Sequence, residues 1–324
     1  MRRREFITIA GTAAVWPLPA RAQQSMKRIA VLMGTADDTE GKERLAAFQQ
    51  GLLELNWVEG RNIRTEVRWG AGDAARTRAF ATELVGIAPD VILATNTPTA
   101  RSLKQATQTI PIVFSGLADP ITDGIVASLS NPQGNITGFT SFNNLIAGKW
   151  LQLLKEVSGI KHVSVIYNPD TAPYTIFLPV MQEVAPQIGI SLVHSPVRDK
   201  TAIENAIDSA AGTAGAGLMI MPDVFTALHR QTIFERAINR RLPTMCPLRL
   251  FTAAGGLMSY GSNVTSLMRQ AASYADRILR GEKPRDLPVQ EPTKYDLIIN
   301  LKTAKALGLD VPATLLAQAD EVIE

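Results

Sequence analysis

Cysteine occurs once in the 324 residues, at Cys246, so the chain cannot close an internal disulfide even where oxidising conditions favour one. Lying beside Pro247 at the end of an apolar stretch, that thiol reads as a small buried hydrophobe. Histidine is nearly as scarce. His162, His194 and His229 stand far apart, the first two within or beside predicted strands, and none has a His or carboxylate neighbour at metal-ligand spacing. Neither a metal site nor a catalytic constellation is expected. Nucleotide-binding loops are missing too. Six residues separate Gly34 from Gly41-Lys42, and Glu43 stands where a phosphate loop needs Ser or Thr. The run GTAGAG at 212–217 precedes a strand instead of following one, so it is no dinucleotide fingerprint. No cofactor is expected. Beyond the leader, no segment approaches the roughly 18 consecutive apolar residues of a transmembrane helix.

An excess of one charge is lacking as well. The formal net charge is +3, from 33 basic and 30 acidic side chains. The first 22 residues hold Arg2, Arg3, Arg4 and Arg21 against Glu5 alone, so the surplus sits there and the remaining 29 of each sign cancel. A nucleic-acid partner is not expected of a neutral chain. The leader itself reads as a signal peptide. MRRREF is a charged n-region, ITIAGTAAVW is too short to span a bilayer, and Ala20-Arg21-Ala22 is an A-x-A site with cleavage expected after Ala22. Arg3-Arg4-Glu5-Phe6-Ile7 also fits the core of a twin-arginine signal.

What the chain does have is a 46% hydrophobic content and enough length for two well-packed domains. Apolar strands alternate with amphipathic helices, the pattern of a parallel sheet covered on both faces. RIAVLM, DVILAT and IPIVF are strands of a first half, and Leu45, Phe48, Leu52 and Leu53 form a helical stripe after the first. HVSVIY, GLMIM and LPTMC repeat the order in a second half. Its helices carry Ile176, Val180, Met181 and Val184, then Ile203, Ala206, Ile207 and Ala210, the latter opened by a Thr201-x-x-Glu204 capping box. GGLMSY leads into a helix from about 265 to 280. The expectation is an α/β protein of two Rossmann-like lobes with mostly parallel sheets.

Ligands of such sheets bind beyond the carboxyl ends of the strands. Those ends are Gly34-Thr35, Thr95-Asn96-Thr97 and Ser115-Gly116 in the first half, and Asn168-Pro169-Asp170, Pro222-Asp223 and Pro247-Leu248-Arg249 in the second. Two lobes facing each other would enclose a small polar ligand. Thr97-Pro98 and Asp119-Pro120 read as helix N-cap and N1 pairs, whose free N–H groups suit a carboxylate. Thr95, Thr97, Thr99 and Ser115 add hydroxyls. Asp170 and Asp223 would suit an ammonium, and Arg249 a carboxylate. Phe142, Tyr167, Tyr174, Phe225 and Tyr260 fall near loop ends, where they either wall a pocket or pack in the core. Asn135-Ile136-Thr137 matches a glycosylation sequon.

The segments IPIVFSGLADPITDGIVASLSNPQGNITGF, SYGSN and ILRGEKPRDLPVQEPTKYDLIINLKTAKALGL carry a family resemblance. With the order of strands, they make the chain resemble the substrate-binding proteins of ABC transporters, in the family typified by the tryptophan-binding component. The resemblance implies a type I periplasmic binding fold, a periplasmic monomer, hinge closure on a small-molecule ligand, and a membrane permease of an ABC importer as partner. It implies a first lobe of 26–141 plus 247–284 and a second of 142–246 plus 285–324. Carried over by position, the pocket draws on Gly34, the 95–99 loop, Ser115, Ser141-Phe142, Tyr167, Asp223 and Tyr260. Two stretches depart from the family. Residues 132–134 are Pro-Gln-Gly instead of Pro-Gly-Gly, and 247–250 are Pro-Leu-Arg-Leu where the tryptophan-binding type has acidic residues. The implied ligand is a small carboxylate, either an amino acid, aromatic or branched-chain, or a related organic acid.

The rival reading is a two-lobed enzyme, such as a racemase-like isomerase acting on a small acid. That chemistry uses one cysteine on each lobe, and Cys246 has no counterpart. A repressor with the same core would begin with a helix-turn-helix, where this chain has its leader.

Overall fold

In the computed structural model, residues 26–324 are described, and the leader lies outside them. The chain runs β1 (Lys27–Met33), α1 (Thr39–Glu54), β2 (Ile63–Trp69), α2 (Ala74–Gly86), β3 (Val91–Ala94), α3 (Thr97–Ala106), β4 (Ile112–Leu117) and β5 (Ile136–Thr140). It continues through α4 (Ile146–Ser158), β6 (His162–Tyr167), α5 (Tyr174–Gln187), β7 (Ser191–Pro196), α6 (Lys200–Ala211) and β8 (Ala216–Ile220). Next come α7 (Val224–Leu228), α8 (Arg230–Asn239), β9 (Thr244–Cys246), α9 (Arg249–Ala253), β10 (Met258–Gly261) and α10 (Val264–Leu279). The chain ends with β11 (Asp296–Asn300), α11 (Leu301–Leu307), α12 (Ala313–Leu316) and β12 (Glu321–Ile323).

Strand periodicity builds each lobe. Successive side chains of β1 point to opposite faces, so Ile29, Val31 and Met33 meet α1 and α10 while Ala30 and Leu32 meet α2 and α3. The first sheet is parallel, in the order β2-β1-β3-β4-β5. The second runs β12-β11-β10-β9-β8-β6-β7, with only the β10–β11 pair antiparallel among its described neighbours. Its two faces are covered the same way, Val163 and Val165 lying against α4 and α5, and Ile166 among residues of α6 and α8.

The division between lobes differs from the sequence-based one. Residues 247–261 do not join the first lobe: β10 pairs with β9 and β11 inside the second sheet. Only α10 returns, lying along α1, where Gly51 permits the approach. A methyl there would sit 2.7 Å from the Arg269 carbonyl. The chain therefore crosses at about 141–145, 262–263 and 291–295. Polar contacts bind the crossings together. Asn143 N–H donates to the Tyr295 hydroxyl at 2.7 Å, Asn263 Nδ2 to Asp296 at 3.1 Å, and Gln290 exchanges backbone hydrogen bonds with Gly138 and Thr140.

Other local expectations also shift. No helix begins at Asp119-Pro120; Asp119 accepts from Ile121 and Thr122 N–H and closes a turn. The cap of α6 is Asp199, which accepts from Ala202 N–H at 2.7 Å, and not Thr201. Leu53 of the α1 stripe faces solvent. Asn135 of the sequon is buried and donates to the Ile110 carbonyl at 2.6 Å, which leaves no free amide for a glycan.

Candidate ligand-binding site

In the first lobe the ends of β1, β3 and β4 lie side by side. Gly34 N–H donates to Thr95 Oγ1 at 2.8 Å, joining the first two ends. A methyl on Gly34 would fall inside the Asn96 side chain, so this position must stay bare. The helix cap is one residue earlier than expected. Asn96, not Thr97, caps α3: its Oδ1 accepts from Thr99 N–H at 3.0 Å, and Thr99 Oγ1 accepts from Asn96 N–H at 3.1 Å. Thr97 and Pro98 become the first two helical residues, both half-buried. Thr99 is fully buried, and its hydroxyl also donates to the Asn96 carbonyl at 2.8 Å. It serves the cap and has no hydroxyl to spare.

Ser115 lies within β4 instead of in a loop after it. The strand bulges between Ser115 and Leu117, with Gly116 at φ +85°. A methyl on Gly116 would lie 3.2 Å from Ser141 Oγ, and Ser141 N–H donates to the Leu117 carbonyl at 2.7 Å. Ser115 and Ser141 therefore share one corner at the first crossing. Ser115 is 2% exposed and its hydroxyl has no partner. Thr35 Oγ1, at the end of β1, is likewise buried and unpartnered. Leaving such a group unsatisfied costs about 1–3 kcal/mol unless something meets it.

In the second lobe the ends of the paired strands β6 and β8 lie side by side. Tyr167 closes β6 nearly buried, stacked on Tyr174 with ring centroids 4.9 Å apart. Asp223 caps α7, accepting from Thr226 N–H at 2.7 Å and from Asn168 N–H at 3.4 Å. Burial pushes its carboxyl up to about 6, above the usual carboxylate range, against these backbone hydrogen bonds. Among the described residues it forms no ion pair. Asn168 is buried at the same strand end and orders the loop by accepting from Asp170 N–H at 2.8 Å. Composition offered no cue to Asn168; its position directly after β6 did.

Four expected site residues have partners within the protein. Asp170 is 63% exposed and pairs with Arg198 at 2.9 Å, an ordinary surface bridge. Arg249 is bidentate to Glu321 at 2.7 and 2.6 Å, which tethers α9 to β12. That pair lines a cavity of about 840 Å³, with Glu40, Glu43 and Arg44 of α1 facing it. Its guanidinium is thus already matched by a carboxylate. Phe142 is core, edge-on to Trp150 and Phe177 at 5.7 and 5.8 Å. Tyr260 leans on Tyr295 at 5.6 Å beside the crossings.

Cys246 has no route to reactivity. It is fully buried, and burial raises its thiol well above the ordinary range. Native protein should fail to react with a thiol reagent over hours and take up one equivalent on denaturation; fast native labelling would contradict the packing.

A family model described as ABC transporter substrate binding protein matches residues 28–323. The chain belongs to this family. The substrate-binding protein is 26% identical over 263 residues to a tyrosine-binding protein of Clostridioides difficile, covering 81% of this chain and 75% of that one. Among solved structures it is similar to a conserved domain protein from Vibrio cholerae, at 27% identity and TM-score 0.84, over 92% of this chain and all of the other (100%). An ABC domain in complex with L-Trp from Streptococcus pneumonia superposes at TM-score 0.85 with 22% identity, over 92% and 100% of the two chains. A ligand-free, open substrate-binding protein from Clostridium difficile gives 0.72 with 24% identity, over 92% and 99%. The solved structures share the type I periplasmic binding fold, and the family is one of binding proteins, so the isomerase reading is set aside.

Proposed function

We propose that this protein is the periplasmic capture component of an ABC importer, taking an amino acid with an aromatic side chain between its lobes. One observation carries the reading. Buried hydroxyls without partners, on Ser115 and Thr35, line one lobe, and a buried carboxylate without a cationic partner, Asp223, lines the other. An α-amino acid supplies what both lack. Its carboxylate takes the hydroxyls and the one open N–H at the start of α3, that of Thr97, its ammonium takes Asp223, and its ring extends the Tyr167–Tyr174 stack. Arg249, held by Glu321, does not turn the pocket toward acids without an amine. The tyrosine- and tryptophan-binding relatives favour the same class. Residues 1–22 then serve export. Hinge bending at the three crossings closes the lobes, and the closed form meets the permease.

The test is thermal unfolding of the chain from Gln23 against L-tyrosine, L-tryptophan, branched-chain amino acids, sugars and the corresponding aromatic acids lacking the amine. A ligand at one hundred times its dissociation constant should stabilise the protein by about 2.7 kcal/mol. A shift with the aromatic amino acids is expected. A shift only with the amine-free acids would remove Asp223 from its assigned role.

A further inference from the structure

At the mouth of the cleft the two lobes touch through apolar atoms. The loop after β2 carries Gly72, with φ +75°, and a methyl placed there would sit 2.9 Å from Leu228 Cδ1 and 3.2 Å from Val224 Cγ1. With this contact made, Leu228 is still 57% exposed, an unusual position for a large aliphatic side chain. Each side of this contact is tied to a pocket residue. On the first lobe, Gly70 N–H donates to the Met33 carbonyl, Ala71 to Thr35 and Gly72 to Gly34, at 2.8, 3.2 and 3.1 Å, so the loop is pinned to the end of β1. On the second, Val224 and Leu228 lie on α7, whose cap is Asp223. The contact therefore adjoins both the end of β1 and Asp223, between which the ligand is proposed to lie.

We infer that Gly72 and the Val224–Leu228 turn form an apolar latch that holds the closed form and sets how fast ligand leaves. The inference rests on the interlobe site proposed above, but the latch is chemically separate from it. Leu228 and Gly72 meet each other, and neither has a polar side-chain atom for the ligand. Glycine at 72 has two roles: it adopts the left-handed turn, and it leaves room for the leucine to seat. The lobes meet over only one face of Leu228, its Cδ1 side, and over Val224, for Leu228 keeps 57% exposure with the contact made. That partial burial favours the closed state over the open one and leaves the stability of each separate lobe unchanged. Since the latch forms after encounter, it acts on dissociation more than on association.

Stopped-flow binding of L-tryptophan and L-tyrosine to Leu228→Ala and Leu228→Asp tests this. The expected result is dissociation faster by several-fold for the alanine variant and at least tenfold for the aspartate variant, with association within twofold of wild type. Unfolding of the free protein should be unchanged because Leu228 is exposed within its own lobe. Unaltered dissociation in both variants would overturn the latch. A second measurement needs no ligand. The double variant Gly72→Cys and Leu228→Cys has only the buried Cys246 besides its new thiols, so mild oxidation should give an intramolecular disulfide, read by mass. No cross-link under conditions that oxidise a free thiol would also overturn the latch. If neither amino acid binds wild type but the cross-link forms, the ligand class fails and the latch stands.

Discussion

Trp150→Ala is expected to lower the unfolding temperature by roughly 10–15 °C, the largest loss of stability among the substitutions considered. Trp150 is fully buried on α4, its ring centroid 5.1 Å from Phe177 and 5.7 Å from Phe142. Phe142 and Phe177 in turn meet edge-on at 5.8 Å, so the three rings close a triangle at the heart of the second lobe. Truncating a buried Trp costs about 3–5 kcal/mol through lost transfer energy and the cavity left behind. The indole also donates to the Tyr260 carbonyl at 2.6 Å, and losing that donor adds about 1 kcal/mol. The location magnifies the effect on function. Phe142 sits at the first crossing and Tyr260 just before the second, so the ring cluster fixes where the hinge segments leave the second lobe. Scanning calorimetry of the ligand-free protein checks the prediction, with Trp150→Phe expected to recover about half of the loss. A fall under about 3 °C would mean that the triangle is not what holds this core together.

Strands were legible because their apolar runs are short and bounded, and β6 falls on HVSVIY residue for residue. The repetition of strand and helix gave the two lobes. What escaped the sequence was mainly long-range pairing. Nothing near Arg249 announces Glu321, 72 residues away, and nothing near Asp170 announces Arg198. Both charges look free until the fold brings their partners. The lobe boundary failed for a related reason. A three-residue β9 and a four-residue β10 say nothing locally about which sheet they join, and only the pairing with β11 decides it. Ser115 was misplaced because a serine and a glycine end an apolar run in sequence, although a bulge lets β4 continue through both. The cap of α3 went to Thr97 because Pro usually follows the cap directly, whereas here it stands at the second helical position and Asn96 makes the reciprocal bonds. Asp223 was legible in position but not in state. A polar residue after an apolar strand points to the cleft, while its elevated pKa comes from burial that the sequence cannot display.

Asp223→Asn should move stability and binding in opposite directions, and this separates a ligand role from a structural one. In the free protein the carboxyl titrates near 6 instead of 3.8 because burial disfavours its charged form. The folded state therefore holds its proton more tightly than the unfolded chain. Its favourable contribution is fully present below about 3.8 and is lost as pH rises through about 6. The difference amounts to roughly 3 kcal/mol at neutral pH, where the carboxylate is ionised and lacks a cation. Asparagine removes that charge and keeps an oxygen for Thr226 N–H, so at pH 7.5 the free variant should unfold several degrees higher than wild type. Ligand binding should suffer. A ligand ammonium meeting the buried carboxylate gains a charge-assisted hydrogen bond, and its loss should weaken L-tyrosine or L-tryptophan about a hundredfold. In wild type the affinity should be flat above about pH 6.5 and then fall up to tenfold per unit below it, as the carboxyl takes up a proton. The variant should show no such fall. Titration calorimetry from pH 4.5 to 8 reads both effects. A stabilised variant with unchanged affinity and a flat wild-type profile would make Asp223 a helix cap and nothing more.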